Sequence, residues 1–92
     1  MNQEQLDKAL FTVSKISSAL GIEIATMNES RTCITFDLNG IDDVEYWVDY
    51  DTLMIAESGS WNDQGEDRVT KEQRRLLYGI AYECTLTIKE FE

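Results

Sequence analysis

Carboxylates are the side chains through which this sequence could do chemistry. The stretch "DLNGIDDVEYWVDYD", Asp37 to Asp51, alternates like a strand. Asp43, Glu45, Asp49 and Asp51 fall on one phase together with Trp47, while Val44, Tyr46, Val48 and Tyr50 fall on the other. Paired acids can act as general acid and base, hold a cation, or attract a basic partner. The chain contains no histidine, the commonest general base and metal ligand.

Acid–base work requires burial that splits two carboxyl pKa values, and these acids lie on polar strand phases and in loops. A calcium loop requires D-x-[DN]-x-[DN]-G with glutamate at the twelfth position. In "DLNGIDDVEYWVD" the glycine is fourth rather than sixth, and "NDQGEDR" fails as well. A two-metal nuclease site adds a lysine to its carboxylates, and none lies in the acidic stretch. No phosphate loop or G-x-S-x-G motif is present. The reading is a binding protein: no enzyme, no catalytic residues, no metal and no cofactor.

The distribution of charge says more than its sum of −10. Between Arg31 and Arg68 stand ten acids and no base. They are Asp37, Asp42, Asp43, Glu45, Asp49, Asp51, Glu57, Asp63, Glu66 and Asp67. The rest of the chain balances at eight acids and eight bases. Most charge runs are solvated faces that serve solubility. Alternate strand residues, however, lie roughly 6.7 Å apart, where two carboxylates repel by on the order of 0.6 kcal/mol in water. Excluding every base from the segment forgoes the simple remedy, which argues for a functional acidic surface. Its natural partners are basic nucleic-acid-binding proteins or nucleases, whose sites are built for phosphates. Direct binding of nucleic acid is what the charge speaks against. Trp47, in phase with the acids, and Trp61, in a polar loop, are candidate interface anchors. Trp47 could equally cover a sheet edge. The partner-binding set is therefore the ten acids with Trp47 and Trp61.

The elements that must position these residues follow from periodicity. Leu6, Ala9, Leu10, Val13, Ile16 and Leu20 trace a helix over 3–20, with Asn2 as N-cap and Gly21 as stop. "IEIATM" (Ile22–Met27) reads as a strand, "NESR" as a turn and "TCITFDL" (Thr32–Leu38) as a second strand. Asn39-Gly40 is a hairpin signal. A two-residue loop would pair Phe36 with Asp43 and mix the faces. An odd loop of three or five residues pairs Leu38 with Asp42, Phe36 with Val44 and Ile34 with Tyr46, with a bulge at Gly40. "TLMIAES" is a fourth strand, and "GSWNDQGED" a polar loop. Thr70 and Gln73 form a capping box. Leu77, Ile80, Ala81, Cys84, Ile88 and Phe91 continue that helix to the C-terminus.

The expected fold is α+β over residues 1–92, one acidic domain in the order α-β-β-β-β-α. Two helices cover one face of a four-stranded antiparallel sheet. Ile34, Phe36, Val44, Tyr46 and Val48 should lie inside, and Asp43, Glu45 and Asp49 should be exposed opposite. Cys33 and Cys84 read as buried thiols. Tyr78 and Tyr82 flank the last stripe and could pad the core margin or serve a homodimer. No apolar run spans a membrane and no signal peptide is evident, so the expected location is cytoplasmic.

In size, element order and base-free acidic middle, "DLNGIDDVEYWVDYDTLMIAESGSWNDQGED", the chain resembles the small acidic DNA-mimic proteins that phages use against host defences. Among these it is similar to the anti-restriction nuclease proteins of T-even phages. The resemblance implies a dimer, acting in the host cell cytoplasm, that occupies the DNA site of a modification-dependent restriction enzyme of the McrBC kind. The bases Arg68, Lys71, Arg74 and Arg75 interrupt the acidity. An acidic adaptor such as a type III secretion chaperone, and an immunity protein against a basic toxin nuclease, share the same physics.

Overall fold

Asn2 starts the first helix, α1 (Gln3–Leu20), by a reciprocal cap: its Oδ1 accepts from the Gln5 amide at 2.8 Å, and Gln5 Oε1 accepts from the Asn2 amide at 3.2 Å. Gly21 ends the helix in the left-handed region, φ +68°, where the absence of a Cβ removes the steric penalty. The computed structural model describes residues 2–22, 26–27 and 32–92. Residues 23–25 of the first expected strand, and the expected turn at 28–31, lie outside them.

The remaining elements are β1 (Thr26–Met27), β2 (Cys33–Phe36), β3 (Val44–Trp47), β4 (Thr52–Ala56), α2 (Lys71–Glu83) and β5 (Thr87–Phe91). The α+β class and the order α-β-β-β-β-α hold, with a fifth strand after α2. The strands stand in sequence order across one sheet. The first four pair antiparallel, and β5 pairs parallel to β4. The sheet is therefore mixed, not antiparallel throughout.

The fifth strand corrects the expected C-terminal helix. Ile88 and Phe91 keep helical spacing with Ile80 and Cys84, but they also fit a strand. The helix stops at Glu83, Thr85 takes φ +57°, and the Leu86 amide donates to Ala81 O at 2.7 Å. Thr87 and Ile88 are β-branched and favour an extended chain. A parallel partner for β4 needs a crossover connection, and α2 provides it.

The expected register is observed where it matters most. Phe36 pairs with Val44 and Ile34 with Tyr46. Ile34, Phe36, Val44, Tyr46 and Val48 are all buried, joined by Leu53 and Ile55 from β4. Ala9 and Ile16 of α1 and Leu77, Ile80 and Ala81 of α2 belong to the same core. Each large apolar side chain removed from water contributes roughly 1.5–3 kcal/mol. Cys33 and Cys84 are buried and free. Strand β3 ends at Trp47, so Tyr50 leaves the inner phase and is exposed in the turn before β4. Among the described residues no helix is long and apolar enough to cross a membrane.

Candidate protein-interaction surface

The loop between β2 and β3 is odd, as parity requires, but longer than expected: it runs over residues 37–43, and Asp42, not Gly40, takes a positive φ, +57°. Its organiser is Asp43, which is fully buried. Asp43 Oδ2 accepts from the backbone amides of Leu38, Asn39 and Gly40 at 3.0, 3.1 and 2.8 Å. Asp43 Oδ1 accepts from Arg68 Nε at 2.8 Å. A buried carboxylate is tolerated only when paired and hydrogen-bonded, and this one is both. A Cβ at Gly40 would lie 3.2 Å from Asp43 Oδ1, closer than ordinary van der Waals contact, and would press on the buried carboxylate.

The exposed Asp43 expected from strand alternation is thus corrected. The residue precedes β3 rather than lying in it, and its side chain closes the loop. The regular row of carboxylates dissolves with it. Glu45 alone among Asp43, Glu45 and Asp49 stands on the outer face of the sheet, half-buried, and Asp49 is exposed in the turn after β3.

Arg68 comes from the loop after β4 and is consumed internally. Besides Asp43, its Nη2 donates to Asp42 O at 3.0 Å, and its guanidinium lies 5.9 Å from the centroid of the Phe91 ring. Arg74 is likewise turned inward, donating to Ala56 O at 2.8 Å and pairing with Glu90 at 3.2 Å. Two of the four bases expected to interrupt the acidity are therefore held by internal contacts.

The same loop is a closed miniature hairpin, not a loose polar segment. Trp61 bridges Asp67, and the Asn62 amide donates to Glu66 O at 2.8 Å. Asn62 Oδ1 accepts from the amides of Gln64 and Glu66, both at 2.9 Å. Two asparagines then tie the loops together. Asn62 Nδ2 donates to Asn39 O at 2.6 Å, while Asn39 Nδ2 donates to Arg68 O at 3.1 Å and Gln73 Oε1 at 2.9 Å. Gln73 Oε1 also accepts from the Thr70 amide at 2.9 Å, completing the expected capping box of α2. Asn39 was read from sequence only as a turn residue; its fastening role depends on partners 29 and 34 positions away.

At this end of the sheet Ile41 (83 % exposed) and Trp61 (67 % exposed) line one shallow groove with Asp63 and Arg68. The joined loops also carry Asp37, Asp42, Glu57, Glu66 and Asp67. None of these six acids forms an ion pair among the described residues. Ile41 carries no chemical signal in the sequence beyond an apolar residue in a turn. Asp42 is compressed against its neighbours: its amide donates to Asp37 Oδ1 at 2.6 Å, and its own Oδ1 is buried with no donor in reach. Burial, then hydrogen bonding to Glu45 and the charges of Glu45 and Asp37, raise its pKa to about 6, against an opposing pull from Arg68.

The other candidates lie elsewhere. Asp51, at the opposite end, pairs with Lys8 at 2.8 Å. Trp47 is half-buried on the outer sheet face, its indole nitrogen donating to Glu45 Oε1 at 3.1 Å. Among the described residues no group of three or more His, Cys, Asp or Glu could hold a metal ion. No protein family, curated protein or solved structure matches this chain.

Proposed function

We propose that this chain is a stoichiometric inhibitor that occupies the nucleic-acid site of a basic DNA-binding protein or nuclease in the cytoplasm. The observation that carries the reading is the joined pair of loops. Six acids without ion pairs among the described residues lie on the loops that carry exposed Ile41 and Trp61, and Arg68, which lines the same groove, is already paired with Asp43. Carboxylates there can meet lysines and arginines that would otherwise hold phosphates, and Trp61 supplies the apolar anchor that charge alone lacks. The acidic surface is a rigid loop platform rather than a strand-long row. Its rigidity lowers the ordering cost of binding. Inhibition is by occupancy, without turnover.

The test begins with the immobilised chain in host lysate and a salt gradient. A partner recovered this way is then loaded with labelled duplex DNA and titrated with the free chain. Release of the DNA at one equivalent of chain, followed by anisotropy, is the expected outcome. Raising salt should weaken the complex, since such pairs are screened beyond about 8 Å. Reversing Asp63, Glu66 and Asp67 to lysine should leave the fold intact and weaken competition by well over about tenfold, because like charges would face the partner's cations. A partner that holds DNA and this chain together, or a triple variant that competes unimpaired, overturns the proposal.

A further inference from the structure

Over β3, β4 and β5 the outer face of the sheet carries an open groove, and the charge pattern there is self-complementary. The helices pack on the opposite face, against Ile34, Phe36, Val44, Tyr46, Leu53 and Ile55. Paired residues share a face, so the register fixes two outer rows across β3, β4 and β5. One row reads Glu45, Met54, Lys89 and the other Trp47, Thr52, Thr87. All six line one open groove. Lys89 is exposed and forms no ion pair among the described residues.

We propose that this face joins two copies of the chain, with a two-fold axis running along β4 over Met54 and Glu45 of each copy meeting Lys89 of the other. Neighbouring strands lie about 4.8 Å apart, so Glu45 and Lys89 stand at equal distances on either side of Met54. A two-fold axis along β4 exchanges left for right and sets each acid opposite a base. The same operation sets each Trp47 over Thr87 of the other copy, large against small, and Met54 against Met54. An axis across the strands would instead place Glu45 on Glu45 and Lys89 on Lys89. The charges therefore select one of the two face-to-face arrangements. Sheets stack about 10 Å apart, a gap that a glutamate and a lysine reaching from opposite sides can close. Such an interface is isologous and closes at two copies. It leaves the loops bearing Ile41 and Trp61 free, so it goes beyond the partner-binding reading and stands or falls apart from it.

Sedimentation velocity of the purified chain alone, over a concentration series at physiological salt, tests this. A monomer–dimer equilibrium is expected. K89E places an acid against Glu45 across the axis and should weaken self-association at least about tenfold. The double variant E45K/K89E restores opposite charges and should recover it. Y82S, on the far side of α2, where Tyr82 is 91 % exposed, should leave it unchanged. Circular dichroism melts of each variant establish that it is folded. A wild-type chain that stays monomeric up to about 100 times the concentration used for partner binding, a K89E variant that dimerises as before, or a charge swap without recovery overturns the proposal.

Discussion

The two ends of the sheet use the same side chain in opposite ways. At the end where β2 leads into β3, Asp43 is fully buried, accepts three backbone amides and holds Arg68. At the other end Asp51 meets Lys8 at a similar distance, 2.8 Å, with side chains 53 % and 37 % exposed. Distance alone would rank the two pairs as equals. Their surroundings separate them. Removing one partner of a buried pair strands the other charge without water, whereas an exposed pair exchanges its partner for solvent at little cost. The acidic middle of the chain thus contains one carboxylate that holds the fold together and several that face outward.

The largest effect should come from Asp43→Ala. It orphans three amides and the Arg68 guanidinium, and breaking such a buried pair costs about 3–5 kcal/mol. Urea denaturation measures it. A loss no greater than that of a surface substitution would erase the distinction between the two ends.

Thr70→Ala removes the N-cap of α2, whose Gln73 also receives Asn39. A lost cap costs about 1 kcal/mol, and the same urea denaturation should show it. A further loss of partner binding in this variant, with the helix intact by circular dichroism, would show that loop fastening positions the surface as well.

Asp42→Asn should act more weakly and in a pH-dependent manner. The folded pKa, about 6, lies above the ordinary 3.8, so the folded state retains a proton that the unfolded state releases. Stability from this group is fully present below 3.8 and declines as pH rises through about 6. Asparagine tolerates the positive φ at this position and removes the charge. The variant should therefore melt higher than wild type at pH 7, with a flatter pH profile between 4 and 6, by thermal scans across that range. An unchanged profile would show that Asp42 is not held against Glu45.

Lys8→Ala should have the smallest effect, since exposed pairs contribute about 0–1 kcal/mol. A large loss would mean that the far end is as tightly built as the near one.

Local patterns carried most of the elements. Asn2 and Gly21 bracket α1, Thr70 and Gln73 start α2, and parity alone sets Phe36 against Val44, because each device depends on residues a few positions apart. Ile80, Cys84 and Ile88 illustrate where such patterns stop. Their spacing suits a helix, and a strand at 87–91 forms because the edge of β4 is there to pair with. The fate of each acid is less local still. Asp43 and Glu45 look alike in sequence, two positions apart on one alternation. What separates them is Arg68, 25 residues onward, brought to Asp43 by a closed hairpin fastened through Asn39 and Asn62. The sequence by itself determined the number of charges, the absence of bases between Arg31 and Arg68, and the apolar phase of β2, β3 and α2. Only the tertiary structure decided which charges are held inside, because burial and partner distance, which set the electrostatic energy, depend on groups far apart along the chain.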